Sequence, residues 1–192
     1  KMQPITLPED AARISFKFPE PDELAPPIIS IEDGSVGYDD KIILRDLNLR
    51  IDQDDRIALL GKNGEGKSTL AKLLSGRLQK KSGKFIKSNK LRVGFFAQHQ
   101  VDELNLKQTP LEHIKILRPN LDGSRLRGLL AGFGIGADQA NTMVGKLSGG
   151  QKARLSILLA TIDAPHLLIL DEPTNHLDIE SRESLIEALT SY

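Results

Sequence analysis

From Pro27 onward the chain switches between two hydrophobic periods, and the switches mark its elements. IISIEDGSVGY, ILRDLNLRI and RIALL are short β-rich runs separated by Asp, Asn and Gly. They predict a small sheet whose last strand, Arg56 to Leu60, runs into a glycine-rich loop. After the loop Leu70, Ala71, Leu73 and Leu74 recur at helical spacing, and Gly76 supplies a C-terminal stop. GKFIKS and LRVGFF are two further strand candidates. Between residues 102 and 147 the pattern turns helical. Thr109, Pro110 and Glu112 make a capping box with proline at the first helical position, opening the helix PLEHIKIL, and SRLRGLLAGF follows after Gly123. A third helix is expected from Ser148 to about Asp163, with Leu155, Leu158, Leu159 and Ile162 as its apolar stripe. HLLIL then reads as a parallel strand covered on both faces, and ESRESLIEAL as a closing helix. Strands alternating with helices predict an α/β layer architecture with a helical insertion near the middle.

The first 27 residues follow neither pattern. Six of the ten prolines fall there, removing backbone donors and blocking helix, so residues 1–27 read as a linker or arm. Within it Ile14, Phe16 and Phe18 alternate with polar neighbours, the period of a half-buried strand that packs on another part of the fold.

Composition narrows the class. At 192 residues the chain is one domain plus an appendage. Its 26 basic and 26 acidic residues cancel, so any polyanion binding has to come from a local patch. The absence of cysteine excludes disulfides, thiolate metal sites and thiol nucleophiles. No apolar run approaches the roughly 18 residues of a membrane span, and KMQPITLPED lacks a signal-peptide core, so the chain reads as soluble and intracellular, with cytoplasmic location expected.

Three segments carry chemistry. GKNGEGKST, Gly61 to Thr69, satisfies G-x-x-x-x-G-K-[ST] between an expected strand and an expected helix. Glycines at 61, 64 and 66 let backbone N–H groups curl around phosphate oxygens, and the helix that follows presents its positive end to the same anion. Lys62, Asn63 and Glu65 complete the loop. Lys67 brings a point charge for the β and γ phosphates, Ser68 offers a hydroxyl to Mg²⁺, and Thr69 completes the motif. In LLILDE an apolar strand delivers Asp171 and Glu172 to a sheet edge, pointing opposite ways. Asp171 is assigned to magnesium through water and Glu172 to polarising the attacking water, a helix-capping turn being the plain alternative. LSGGQ, Leu147 to Gln151, opens a long helix in which Ser148 can cap and Gly149 and Gly150 leave amides uncovered, a second anion-seeking helix start. The four histidines, at 99, 113, 166 and 176, lack metal-ligand spacing.

These three motifs, in this order and spacing, resemble the nucleotide-binding domain of ATP-binding cassette (ABC) ATPases. The resemblance implies a P-loop NTPase fold of ABC type, α/β, with a mixed core sheet, an antiparallel β subdomain and a helical subdomain at about 102–147 within a cassette spanning 28–192. It implies ATP and Mg²⁺ as ligands and a working unit of two cassettes, the signature segment Ser148, Gly149, Gly150 and Gln151 of one covering the γ-phosphate held by the other. On the same resemblance Tyr38 matches the aromatic that stacks on adenine, a core tyrosine being the alternative. Gln98 matches the Q-loop glutamine that touches magnesium and the attacking water, and Asn175 to Asp178 fill the D-loop position.

DEPTNHLD, Asp171 to Asp178, and FFAQHQ around Gln98 resemble the ABC-F branch, soluble paired-cassette proteins that act on ribosomes. KMQPI and the proline-rich arm resemble the end of that branch's interdomain linker. Because the family's switch histidine has no counterpart before Tyr192, the chain reads as the linker's end plus most of a second cassette, with weak or no activity in isolation. The function implied is Mg-dependent ATP hydrolysis coupled to ribosome binding, without membrane insertion. The alternatives are the motor domain of an ABC transporter and a nucleotide-dependent clamp without turnover, the latter opposed by Glu172. One local charge feature stands apart. Arg77, Lys80, Lys81, Lys84, Lys87, Lys90 and Arg92 occur in a stretch with no acidic residue, either a solvated hairpin face or a contact to ribosomal RNA phosphates.

Overall fold

The computed structural model describes residues 14–62 and 64–192. The chain divides into two compact units.

The unit of residues 19–98 with 160–173 holds every strand of the described residues. Strands β1 (Ile29–Tyr38) and β2 (Lys41–Ile51) form an antiparallel hairpin that runs from Ile29 opposite Ile51 to Tyr38 opposite Lys41, with register shifts between Ile31 and Gly37. Asp39, at φ 43°, takes the left-handed conformation in the two-residue turn, a conformation that Asp tolerates better than most residues. Strand β3 (Lys80–Lys87) pairs with the other side of β1, giving the order β2-β1-β3. Alternation puts Ile29 and Ile31 of β1 into a core with Ile28, Ile51 and Leu73, and the register shifts between Ile31 and Val36 bring Val36 into the same core. Strands β4 (Val93–Phe96) and β5 (Leu167–Leu170) form a separate parallel pair, Phe96 opposite Leu170. Helix α1 (Lys67–Leu74) serves both sheets. Leu73 enters the core of the antiparallel sheet, while Ala71 packs with Phe95, Ala97 and Ile169 of the parallel pair.

Two expectations change here. Arg56 to Leu60 is not a strand; Ile57, Leu59 and Leu60 lie exposed, Leu60 at 89%. Its apolar composition suits a covered strand, but a strand exists only with a neighbour's backbone, and the parallel sheet of the described residues ends at β4 and β5. For the same reason β5 is half-buried rather than covered on both faces.

The second unit, residues 14–18, 99–159 and 174–192 of the described chain, is helical. The Thr109 and Glu112 capping box opens α3 (Pro110–Leu117), with Glu112 N–H donating to Thr109 Oγ1 at 3.2 Å and Thr109 N–H to Glu112 Oε2 at 2.7 Å. Asp122 caps α4 (Gly123–Gly132), and α3 packs on α4 and on α5 (Ala137–Ala140). The short helix α2 (Gln98–Asp102) and α5 were not legible, being too brief to show a period. Helix α6 (Gly149–Thr161) and α7 (Ile179–Ser191) match the two expected long helices. Of the arm, residues 14–18 form no strand or helix. Phe16 is buried, its ring 5.1 Å from that of Phe133, and Tyr192 meets Phe18 edge-on at 5.7 Å. The remainder of the expected arm before Ile14 lies outside the described residues.

Candidate functional site

The loop that precedes α1 is shaped by its own side chains. Gly64 and Gly66 adopt φ 88° and 93°, where a side chain would be strained, and a Cβ on Gly66 would come within 2.6 Å of Leu44 Cδ2. Glu65 folds back so that Lys62 N–H donates to its Oε2 at 2.8 Å, and the Lys67 ammonium donates to the Gly61 carbonyl at 2.6 Å. No side chain caps α1 at Gly66, so the helix meets its loop with an open, positive N-terminus. Ser68 and Thr69 occupy its first turn. Asn63 lies outside the described residues.

Tyr38 stands beside this helix. The Lys72 ammonium lies 5.4 Å from its ring centre and donates to its hydroxyl at 3.4 Å. A hydrogen bond with Thr69, helped by Lys72, holds the phenol below its ordinary pKa. The aromatic expected to stack on adenine is thus tied to the first two turns of α1, and its ring remains 40% exposed.

The parallel register of β4 and β5 brings the next two segments to one sheet edge. Asp171 N–H donates to the Phe96 carbonyl at 2.8 Å, so Asp171 and Glu172 leave β5 where Ala97 and the backbone of Gln98 leave β4. Glu172 is in the left-handed region at φ 48°, a conformation costing a non-glycine residue on the order of 1–3 kcal/mol and concentrated at functional sites. The Ser68 hydroxyl and Asp171 carboxylate are the oxygen donors that suit Mg²⁺. Among the described residues no group of three or more His, Asp and Glu side chains could hold a metal.

The signature segment lies in the helical unit. Ser148 caps α6 as expected, accepting from Gln151 N–H at 3.1 Å, and Gln151 reciprocates by accepting from Ser148 N–H at 2.9 Å. That second half of a capping box was legible in S-x-x-Q. Gly150 passes so near the D-loop that a Cβ there would sit 3.4 Å from the His176 carbonyl. Asp178 then caps α7, accepting from Ser181 N–H at 2.8 Å, and this bond lowers its carboxyl pKa. Arg154 of α6, almost fully buried, donates to Ser181 Oγ, Asp178 Oδ2 and the Gly134 carbonyl. Arg154 and Lys72 were not singled out from sequence, because their partners are distant along the chain.

The phosphate loop on a helix start, carboxylates at a parallel sheet edge and a helical unit with its own glycine-rich helix start define a cassette-type nucleotide-binding fold. The likeness to solved cassettes is measurable: a solved structure described as the dimeric post-hydrolysis state of the ATP-binding cassette MJ0796 bound to ADP and Pi superposes with a TM-score of 0.71 at 25% identity, covering 85% of this chain and 82% of that one. The chain belongs to the ABC family, whose ABC transporter model matches residues 44–175. Its similarity runs to the F branch. It is 45% identical to ABC transporter F family member 3 of Arabidopsis thaliana over 92% of this chain and 25% of that protein. It is 44% identical to the probable ATP-binding protein YheS of Escherichia coli O6:H1 over 92% of this chain and 28% of that protein. Protein GCN20 of Saccharomyces cerevisiae matches all of this chain at 39% identity over 26% of its own length. The chain thus spans about a quarter of the length of the curated relatives it matches. Among the described residues no helix is long and apolar enough to cross a membrane.

Proposed function

We propose that this chain is an ATP-hydrolysing cassette of a cytoplasmic ABC-F protein, comprising the end of an interdomain linker at 1–27 and a cassette from 28 with its helical subdomain at about 102–147. The observation that carries this reading is the coincidence, within one unit, of the open helix start at Lys67 with the carboxylates at the β4 and β5 edge. Amides of the loop and the Lys67 ammonium bind the phosphates of ATP, and Tyr38 stacks on adenine. Ser68, Gln98 and, through water, Asp171 would hold Mg²⁺, which when bound would neutralise charge on the transferred phosphoryl group. Glu172 accepts a proton from the attacking water. Ser148, Gly149, Gly150 and Gln151 present their helix start to the γ-phosphate bound by a second cassette, so turnover requires two cassettes.

The ribosome is the proposed partner, supported by the DEPTNHLD segment and by the F-branch relatives. The test is co-sedimentation of the full-length protein with purified ribosomes and, separately, with membrane vesicles, with and without ATP. Nucleotide-dependent association with ribosomes is expected. Association with membranes alone would replace this reading with a transporter motor domain.

A further inference from the structure

We propose that the open edge of β3, through Lys80, Lys81, Lys84 and Lys87, is a docking surface for the phosphate backbone of RNA. For its partner this rests on the ribosome reading above. The chain as a whole is neutral, so an excess of charge here is local rather than a reflection of composition.

Structure first narrows the basic run. Arg77 lies with its guanidinium 4.6 Å from the Phe95 ring centre, and Arg92 donates to the carbonyls of Asp163 and Ala164, so both are engaged within the fold. The five lysines between them, at 80, 81, 84, 87 and 90, are all exposed. Among the described residues only Lys84 of these meets a carboxylate, Glu32 at 3.3 Å, and with both side chains more than half exposed such a pair neutralises little. Lys80 and Lys81 donate to the carbonyls of Gly83 and Asp39, which carry no net charge. Lys87 and Lys90 have no ion pair among the described residues.

The geometry matches a linear polyanion. β3 is the edge strand of its sheet, and at about 3.3 Å per residue Lys84 and Lys87 stand roughly 10 Å apart along it on opposite faces, so their flexible side chains flank the open edge from both sides, where a phosphate chain running along it can be reached. An anionic membrane fits less well, because Ile86 is the only large apolar side chain of β3 that is exposed. The competing explanation is that lysines guard an open strand edge against pairing with another chain.

The test uses the full-length protein and a variant carrying Lys80→Gln, Lys81→Gln, Lys84→Gln and Lys87→Gln, with the matching four Lys→Arg changes as control. Binding to purified ribosomes and to deproteinised ribosomal RNA is measured across a series of KCl concentrations. Each lost phosphate contact removes roughly 0.7 to 0.9 from the slope of log K against log salt, so the Gln variant should lose about 3 and the Arg variant almost nothing. An unchanged slope overturns the proposal. So does a Gln variant that only aggregates more while binding RNA as before, which makes the lysines an edge guard. Parent protein that binds naked RNA with the slope expected but ignores ribosomes keeps this surface and sinks the ribosome reading. Binding to neither sinks both.

Discussion

The ammonium of Lys67 donates to the carbonyl of Gly61 at 2.6 Å, spanning the phosphate loop from its helix back to its first residue. Glu65 closes the same loop from the other side by accepting from Lys62 N–H. The loop is therefore held near its shape by charge-assisted bonds that phosphate oxygens can replace. Lys67→Ala removes both the tether and the charge meant for the β and γ phosphates. ATP binding, followed by titration of a fluorescent ATP analogue, should be lost in that variant. Glu65→Gln keeps a side-chain acceptor for Lys62 N–H and should bind within a few-fold of the parent, at roughly the 0.5 kcal/mol scale of a surface change.

Glu172 offers a separation of stability from chemistry. Glu172→Gln keeps the left-handed backbone at φ 48° and most of the side chain's shape. Its unfolding midpoint in urea should stay within about 0.5 kcal/mol of the parent's. ATP hydrolysis by the full-length protein should fall by about 10² to 10⁴, the usual contribution of a positioned base, while ATP binding persists. Turnover at the parental rate would remove Glu172 from the proton-transfer step.

The phosphate loop was legible because its chemistry is local: glycines that permit positive φ, a lysine and a hydroxyl lie within nine residues, and the backbone they require follows from their types. The Thr109 capping box and the β1 and β2 hairpin were legible for the same reason. Arg56 to Leu60 shows the limit. Hydrophobicity says that a segment can be buried, but strand pairing depends on a neighbour far away in sequence. Arg154 shows it again, since Gly134 and Ser181 lie 20 and 27 residues away and no pattern within α6 announces them.

Arg154 ties three segments of the helical unit, and its side chain is only 9% exposed. Arg154→Ala leaves the Gly134 carbonyl and Ser181 hydroxyl without this donor and opens a cavity, which should cost about 2–4 kcal/mol. Asp178→Asn should cost about 1 kcal/mol or less, because asparagine is an equally good N-cap and Asp178 is largely exposed. Arg154→Lys should recover only part of the loss, since one ammonium cannot reproduce the guanidinium's spread of donors. Urea denaturation of the three variants checks the order. Equal losses in all three would mean that the network is not centred on Arg154.

His166 makes stability depend on pH near neutrality. Its Nδ1 accepts from Arg92 N–H at 3.0 Å, which requires an unprotonated Nδ1, and its Nε2 is buried without a hydrogen bond of good geometry. Burial, reinforced by the Arg92 guanidinium and opposed by Asp22, holds its pKa below the ordinary 6.5. The unfolded chain, with histidine near 6.5, therefore binds more protons than the folded chain once the pH drops below that value. The His166 contribution is fully present above pH 6.5 and is lost as pH falls toward the folded-state pKa, because protonation removes the acceptor that joins the start of β5 to the start of β4. His166→Gln keeps a carbonyl acceptor for Arg92 N–H but cannot titrate. The parent should lose stability relative to this variant as urea midpoints are followed from pH 7.5 down to pH 5. Parallel curves would show that His166 stays neutral in both states or is equally protonated in both.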